Sequence, residues 1–569
     1  MLDNKIEHQF KDANMKDYES LYDSFSWDDI NSEFSWSITN KINIAHEAID
    51  RHADNPETAD KYCLVYSYKE RKKKITFREM KILSNKFANV LRSMRIEKGD
   101  RVFLFLPRSP ELYIALVGCA KIGAIIVPLY SDFMEEAVKE RMLDGSGKLL
   151  ITSTRHRSRV LDAELPDLEH IIVIKEDEHE LIEGDVLWDD AMVNASDNFD
   201  IEWVEKDSPL FLIYTSSHEG TPIGLIHPHD SMRGYLATSR WVLDLKDTDI
   251  LWTNARPGWL MNIVYSAFAP WLCGVTSFIS RRMKTAKQIY ENIEENNITV
   301  MYTIPRVYRL LKEAGKETAS SFHIQSLRHL LSSLESLYSD DIYSVMNILS
   351  LPIYDTWWTA ETGMIVIANF RCMPIKPGYL GKPVPGIKIS ILDSDGNEVS
   401  PFTMGDVAIK ADWPCMAKGI WRNESGYKRY VSRKPWFMLE DTAFIDHDNY
   451  FVYQGRADAT IITSAGRVGI AEIESILKRH PAVVDTGVIR IPNRDNAKRI
   501  KAFISLKSTY KPTNILKSKI ISYVSNHLSP EIVPHEIEFL DKFPKDNKGN
   551  ILHRVLKASE LGIPVKHLL

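Results

Sequence analysis

Ile353-Tyr354-Asp355-Thr356-Trp357-Trp358-Thr359-Ala360-Glu361-Thr362-Gly363 is the stretch on which the reading of this chain turns. It follows an apolar run, Ile348-Leu349-Ser350-Leu351-Pro352-Ile353, which reads as a buried strand. Open α/β sheets take ligands beyond the carboxyl ends of their strands, so the stretch stands where a ligand is expected. Two adjacent indoles can flank a planar base or close an apolar pocket, and Glu361 can hold a hard cation. The same residues also suit a core corner filled by two buried tryptophans.

Outward from this stretch, strand and helix signals alternate. Thr76-x-x-Glu79 is a capping box, and Met80, Leu83, Phe87, Val90, Leu91 and Met94 follow at helical spacing until Gly99-Asp100. Strands are expected at 102–106, 124–127, 148–153, 170–174, 210–215 and 298–303, with a second apolar helix at 111–122. The pattern is that of an α/β protein. After about residue 457 the character changes. Short strands (485–491, 501–506, 536–540) alternate with amphipathic helices (472–478, 515–527), as in a separate α+β domain of about 110 residues. Gly455-Arg456-Ala457-Asp458 reads as the hinge. Near the start, Tyr18, Leu21, Tyr22, Phe25, Trp27, Phe34 and Trp36 mark an arm expected to pack on the body. The basic run 69–73 reads as the solvated tip of a hairpin between 63–68 and 74–77.

A chain of 569 residues exceeds one core, and 44% hydrophobic with 26% charged residues describes an ordinary globular protein. A net charge of -6 gives no electrostatic case for a nucleic-acid partner. Five scattered cysteines, with no C-x-x-C pair, argue against a disulfide framework or zinc and for a reducing compartment. Residues 1–16 are too polar for a signal peptide. The uncharged stretch 263–280 contains Pro270, Gly274 and several serines and reads as core, not as a membrane span. A cytoplasmic protein without a membrane partner is expected.

Several segments together resemble AMP-forming acetyl-CoA synthetases. They are Pro107-Arg108-Ser109-Pro110-Glu111-Leu112-Tyr113, Tyr214-Thr215-Ser216, Ala269-Pro270-Trp271-Leu272, Gly381-Lys382-Pro383-Val384-Pro385-Gly386, Gly455-Arg456 and Arg554-Val555-Leu556-Lys557. The tryptophan stretch is similar to that family's Y-D-T-W-W-Q-T-E-T-G, differing at Thr359 and Ala360, and the resemblance runs from about residue 17 to 561. It implies an adenylate-forming ligase fold: an N-terminal arm (1–36), a large AMP-binding domain of stacked sheets and helices (37–457) and a small mobile lid (458–569). It implies a two-step reaction as well. Acetate attacks the α-phosphate of Mg-ATP, giving acetyl-AMP and pyrophosphate; the CoA thiolate then displaces AMP. By the same resemblance, Asp355, Thr356, Trp357, Trp358, Thr359, Ala360 and Glu335 fall in the nucleotide site. Asp441 and Arg456 lie at the ribose, Arg467 at the phosphate, Glu361 at Mg2+, Ser464 at CoA and Asp458 at the hinge. Leu260, Met261, Ser333 and Trp358 fall in the acyl pocket, with Trp358 shortening it to acetate size.

The chain departs from the family where the chemistry is. A phosphate loop Y-T-S-G-[ST]-T-G-x-P-K-G works because glycines let backbone N–H groups reach the phosphates while a lysine offsets their charge. Here it reads Tyr214-Thr215-Ser216-Ser217-His218-Glu219-Gly220-Thr221-Pro222-Ile223-Gly224. Ile223 replaces the lysine, and the Glu219 carboxylate repels phosphate. The base segment S-V-G-E-P becomes Ser332-Ser333-Leu334-Glu335-Ser336, P-G-W-V-T-G becomes Pro257-Gly258-Trp259-Leu260-Met261-Asn262, and the catalytic loop P-K-T-R-S-G-K becomes Pro544-Lys545-Asp546-Asn547-Lys548-Gly549-Asn550. Asn550 thus stands where the family keeps its catalytic lysine. The expectation is a synthetase relative whose adenylation step is impaired or lost. The alternatives are a ligase re-targeted to another short acid, and a non-catalytic nucleotide- or acyl-CoA-binding regulator, with a sibling synthetase as its partner.

Overall fold

The computed structural model describes the chain except residues 1–4, 8–11, 36–39, 70, 161–163, 177–180, 217–221, 282, 335, 336, 338, 394, 457–459, 464, 465, 492–498, 531, 546–550 and 561–569. A nine-stranded sheet carries the tryptophan stretch. Its middle is parallel, running Ile353–Trp357, His329–Ser332, Val300–Thr303, Ile250–Thr253, Thr276–Ser280 and Tyr62–Tyr68 side by side. Antiparallel strands close it, Ile367–Ala368 and Lys382–Pro383 on one side and Arg71–Thr76 on the other. An eight-stranded sheet runs Gly419–Ile420, Pro222–Pro228, Pro209–Ser216, Ile125–Pro128, Arg101–Phe105, Leu149–Ser153, His170–Ile174 and Val186–Leu187. The helices Phe77–Ser93 and Pro110–Lys121 contribute to the core shared by the two sheets. Every residue of Pro110–Lys121 is buried, which accounts for its uninterrupted apolar character.

The expected strands and helices of the first 303 residues appear within a few residues of their sequence positions, and the Thr76–Glu79 capping box forms. Two expectations are corrected. The apolar run 348–353 is not itself a strand: Ile348 and Leu349 end the helix Ser339–Leu349, and Ser350 turns left-handed (φ 57°) ahead of Pro352. The strand starts at Ile353, so Asp355, Thr356 and Trp357 are its last three residues. The hairpin forms as expected with Lys69 in its turn, but most of the basic run is not the tip. Arg71–Lys74 are strand residues, all exposed, on the outer edge of the nine-stranded sheet.

The arm packs as expected. Tyr18 and Phe34 are buried, Tyr18 Oη donates to the Pro383 carbonyl (2.8 Å), and Trp27 Nε1 donates to the Gly386 carbonyl (3.0 Å). The stretch 263–280 is buried core, and among the described residues no helix is long and apolar enough to cross a membrane.

A four-stranded antiparallel sheet (Ile389–Leu392, Gly405–Lys410, Trp436–Ile445, Phe451–Arg456) follows. Beyond it, the hairpin Thr460–Thr463/Gly466–Gly469 precedes a three-stranded sheet (Val483–Ile491, Arg499–Leu506, Glu536–Phe539). The helices Ile470–Arg479 and Asn514–His527 cover that sheet around a core of Ile473, Leu477, Val488, Ile500, Ala502 and Ile520. Tyr130, Ala137 and Trp259 of the larger body pack onto this second core, and Arg479 pairs with Glu140 (2.8 Å).

Candidate active site

Three adjacent parallel strands end together at Thr303, Ser332 and Trp357, with Thr303 opposite Ser332 and Ser332 opposite Asp355. Strand residues alternate faces, so this register sorts the site into two sides. Thr303, Ser332, Asp355 and Trp357 share one side; Tyr302, Ser333, Thr356 and Trp358 share the other.

On the Trp358 side a polar relay is closed. Trp358 Nε1 donates to Tyr302 Oη (3.0 Å), Tyr302 Oη meets Thr356 Oγ1 (2.8 Å), and Thr356 Oγ1 donates to the Ser332 carbonyl (2.8 Å). The Tyr265 ring stands edge-on to both Tyr302 and Trp358, with centroids 5.5 and 5.4 Å away. Leu260 and Met261 are buried one turn ahead of Tyr265. Asn262 turns elsewhere, donating to Tyr113, Ser266 and the Ala255 carbonyl, each at 3.2 Å. Burial in this wall pushes the Tyr302 phenol up to about 12.

On the other side, Asp355 is enclosed and accepts the Thr356 amide (3.1 Å); desolvation raises its carboxyl well above the ordinary range. The Trp357 ring leans on Tyr453 (6.4 Å), whose hydroxyl donates to buried Asp441 (2.8 Å). Asp441 in turn faces Arg456 across the strand pair. The tryptophan stretch and the ribose-position aspartate are thereby brought to one wall.

Between Trp358 and Gly363 the chain folds tightly. Thr359 and Thr362 bond reciprocally, each amide donating to the other's hydroxyl (3.0 and 3.3 Å), so Thr359 acts as a loop lock. Gly363 has φ 74°, and a Cβ there would collide with the Cys415 carbonyl. Ala360 is half-buried beside Glu361. Glu361 is buried, and Tyr430 Oη, stacked on Phe437, reaches it at 3.5 Å. Among the described residues no group of three metal-ligating side chains occurs. Mg2+ fits such a place, since it binds through one or two carboxylates together with substrate phosphates.

Thr215 and Ser216 close the strand that enters the phosphate loop, paired with Ile223 and Pro222 of the strand that leaves it. Ile223 is buried in the main core. Ser217, Gly220, Glu335, Asp458, Ser464 and Asn550 lie outside the described residues, as do the side chains of Arg456 and Arg467. The backbone of Arg467 belongs to the strand Gly466–Gly469, which lies against Pro209–Ser216.

Leu334 adopts φ 77°, the left-handed region where glycine is at home and a branched side chain is strained by about 1–2 kcal/mol. Leu334→Gly should therefore leave the melting temperature nearly unchanged. Leu334→Ala keeps the strain, gives up packing and should lose roughly 1–2 kcal/mol; calorimetry of the two variants separates the cases.

The residues flanking 546–550 are described. Lys545 and Ile551 bridge, Leu552 donates to the Pro544 carbonyl (2.9 Å), and Lys545 pairs with Asp485 (2.7 Å). His553 Nε2 lies 2.6 Å from Glu474 Oε1; burial pulls the imidazole pKa down, and that carboxylate together with its hydrogen bond outweighs burial and holds it above its ordinary value. A raised folded-state pKa contributes stability fully below about pH 6.5, and the contribution fades as pH rises through the folded value. His553→Gln should accordingly flatten the loss of C-terminal stability above pH 6.5, read by hydrogen exchange at the Val488 amide, which also bonds Glu474 (2.6 Å).

Tyr302, Tyr265, Tyr453 and Tyr430 were not foreseen. A tyrosine ending the apolar strand Val300–Thr303 was the available signal for the first; the other three are brought in by tertiary packing.

Residues 50–421 match the family model for the AMP-binding enzyme, and residues 472–550 that for the AMP-binding enzyme C-terminal domain. The chain is 43% identical over 558 residues to an acetyl-coenzyme A synthetase of Bacillus subtilis (strain 168), covering 98% of this chain and 97% of that one. It is 31% identical over 564 residues to an acetyl-coenzyme A synthetase of Methanothrix soehngenii, covering 94% and 84%. A crystal structure of an acyl-CoA synthetase from Brucella canis superposes with a TM-score of 0.73 at 27% identity, covering 96% of this chain and 99% of that one.

Proposed function

This chain belongs to the AMP-binding enzyme family, and from that membership we propose an acetate–CoA ligase-like protein that binds adenylate and CoA but is impaired in making the acyl-adenylate. The observation that carries the reading is Ile223. At the neck of the phosphate loop, where the resemblance calls for a lysine, an apolar side chain is folded into the core. With Glu219 in the loop and Asn550 at the C-terminal lysine position, two cations are gone from the step that gathers triphosphate and carboxylate.

The second half-reaction asks less of these groups. Trp357, Tyr453 and Asp441 form a wall suited to an adenosine, Trp358 and Tyr265 bound a short acyl pocket, and Ser464 and Arg467 are the proposed CoA and phosphate contacts. Mg2+, held at Glu361 together with phosphate oxygens, would supply charge neutralisation. Residues 458–569 would act as the lid, turning about Asp458.

Acetate-dependent ATP–pyrophosphate exchange, run beside a panel of short acids, tests the reading. Little or no exchange is expected from protein that binds AMP by calorimetry. Vigorous exchange would refute the impairment. Absence of both exchange and CoA-dependent turnover of acyl-adenylate would favour the regulatory reading, in which nucleotide or acyl-CoA binding is relayed to a sibling synthetase.

A further inference from the structure

The hydroxyl of Ser333 has no hydrogen-bond partner although the residue is 1% exposed. By strand alternation it belongs to the side of the sheet that carries Tyr302, Thr356 and Trp358, and of these Tyr302 is its nearest polar neighbour. The neighbouring polar heads are already committed. The Trp358 N–H is taken by Tyr302, the Tyr302 hydroxyl by Thr356, and the Thr356 hydroxyl by the Ser332 carbonyl. Ser333 is therefore a polar group left for something that arrives. A buried hydroxyl is costly to leave unpaired, and a methyl group placed against it leaves it so.

The space is also short. Trp358, Tyr265 and Tyr302 are buried and wedged edge to face, with Leu260 and Met261 one turn away. Rings in such contact leave no room for a long chain among them.

We propose that the acid this site accepts is a 2-hydroxy or 2-oxo acid of two or three carbons, and that Ser333 determines that choice over plain acetate. A serine hydroxyl both donates and accepts, so it pairs with a hydroxyl or an oxo oxygen. The inference rests on the acyl-adenylate reading above and adds its substrate class.

The test needs no adenylation. Full-length protein is titrated calorimetrically with two non-hydrolysable acyl-adenylate mimics, acetyl-sulfamoyladenosine and glycolyl-sulfamoyladenosine, and separately with AMP. The glycolyl mimic should bind roughly tenfold more tightly, the worth of about one hydrogen bond. The ratio should fall to about one in Ser333→Ala and reverse in Ser333→Val; the alanine variant serves if the valine variant folds poorly. Equal binding of the two mimics, tighter binding of the acetyl mimic, or a ratio unmoved in Ser333→Ala overturns the proposal while AMP binding leaves the adenylate reading standing. Failure of AMP and both mimics to bind folded protein overturns both.

Discussion

Acetyl-AMP supplied ready-made should be consumed with CoA on the order of 10²–10³-fold faster than the same protein makes acetyl-AMP from acetate and ATP. The factor follows from what is missing. A positioned charge on the developing anion is typically worth about 2.7–4 kcal/mol, and Asn550 carries none. Its loss falls on the first half-reaction, in which an anionic carboxylate meets an anionic triphosphate; the second starts from a formed adenylate. Lys548 is a poor stand-in, since two residues of chain, if drawn out as a strand, would set it ~6.6 Å from position 550. Asn550→Lys alone should also fail to restore exchange, because Ile223 is tucked into the core and Glu219 remains in the loop. Thioester formation from acetyl-AMP and pyrophosphate exchange from acetate, measured on one preparation, give the ratio. No CoA-dependent consumption of acetyl-AMP would sink the idea.

Lys121→Ala should destabilise the large body by about 3–5 kcal/mol. Lys121 ends the wholly buried helix Pro110–Lys121, and its ammonium lies 2.7 Å from Asp50 Oδ1 and 2.6 Å from the side-chain amide oxygen Oδ1 of Asn85. Both ions are out of water, and burial pulls the lysine pKa below its ordinary value. Removing one partner leaves Asp50 an uncompensated charge in the core. The double variant Lys121→Met/Asp50→Leu removes both charges and should recover most of the loss. Calorimetric melting of the two proteins decides between an ion pair that holds the fold and one that is merely tolerated.

The sequence was most readable where local rules act alone. The uninterrupted apolar runs of the parallel strands, the Thr76–Glu79 cap and the amphipathic helices of the last hundred residues all stand close to where their patterns place them. It misled where one residue overrides a pattern. Ile348 and Leu349 look like the opening of a strand, yet their backbone continues a helix until Ser350 breaks it. The basic run looked like a loop because charge usually marks solvent, and an edge strand is also solvated. At the candidate site, Asp355, Trp357, Trp358, Glu361 and Asp441 could be singled out in the sequence because a family pattern names them, and the structure gathers Trp357, Tyr453 and Asp441 along one wall. Tyr453 and Tyr430 were not, because their roles arise from the four-stranded sheet and its neighbouring turn folding back over the tryptophan stretch. Leu334 is an intermediate case. Its place was readable as a lost glycine, and the left-handed backbone shows what that loss costs.

The outermost strand of the nine-stranded sheet, Arg71–Thr76, presents free N–H and C=O groups along its length, and such an edge is a template on which another chain can continue the sheet. Four consecutive cations there repel the same edge of a second molecule. Arg71 and Lys72 are partly neutralised by Glu111 and Glu295, so Lys73 and Lys74 carry most of that repulsion. The guard is electrostatic and therefore depends on the solvent: in molar salt its reach shrinks to about 3 Å. Colloidal behaviour at high ionic strength is thus written into this one edge, apart from anything that happens among the tryptophans.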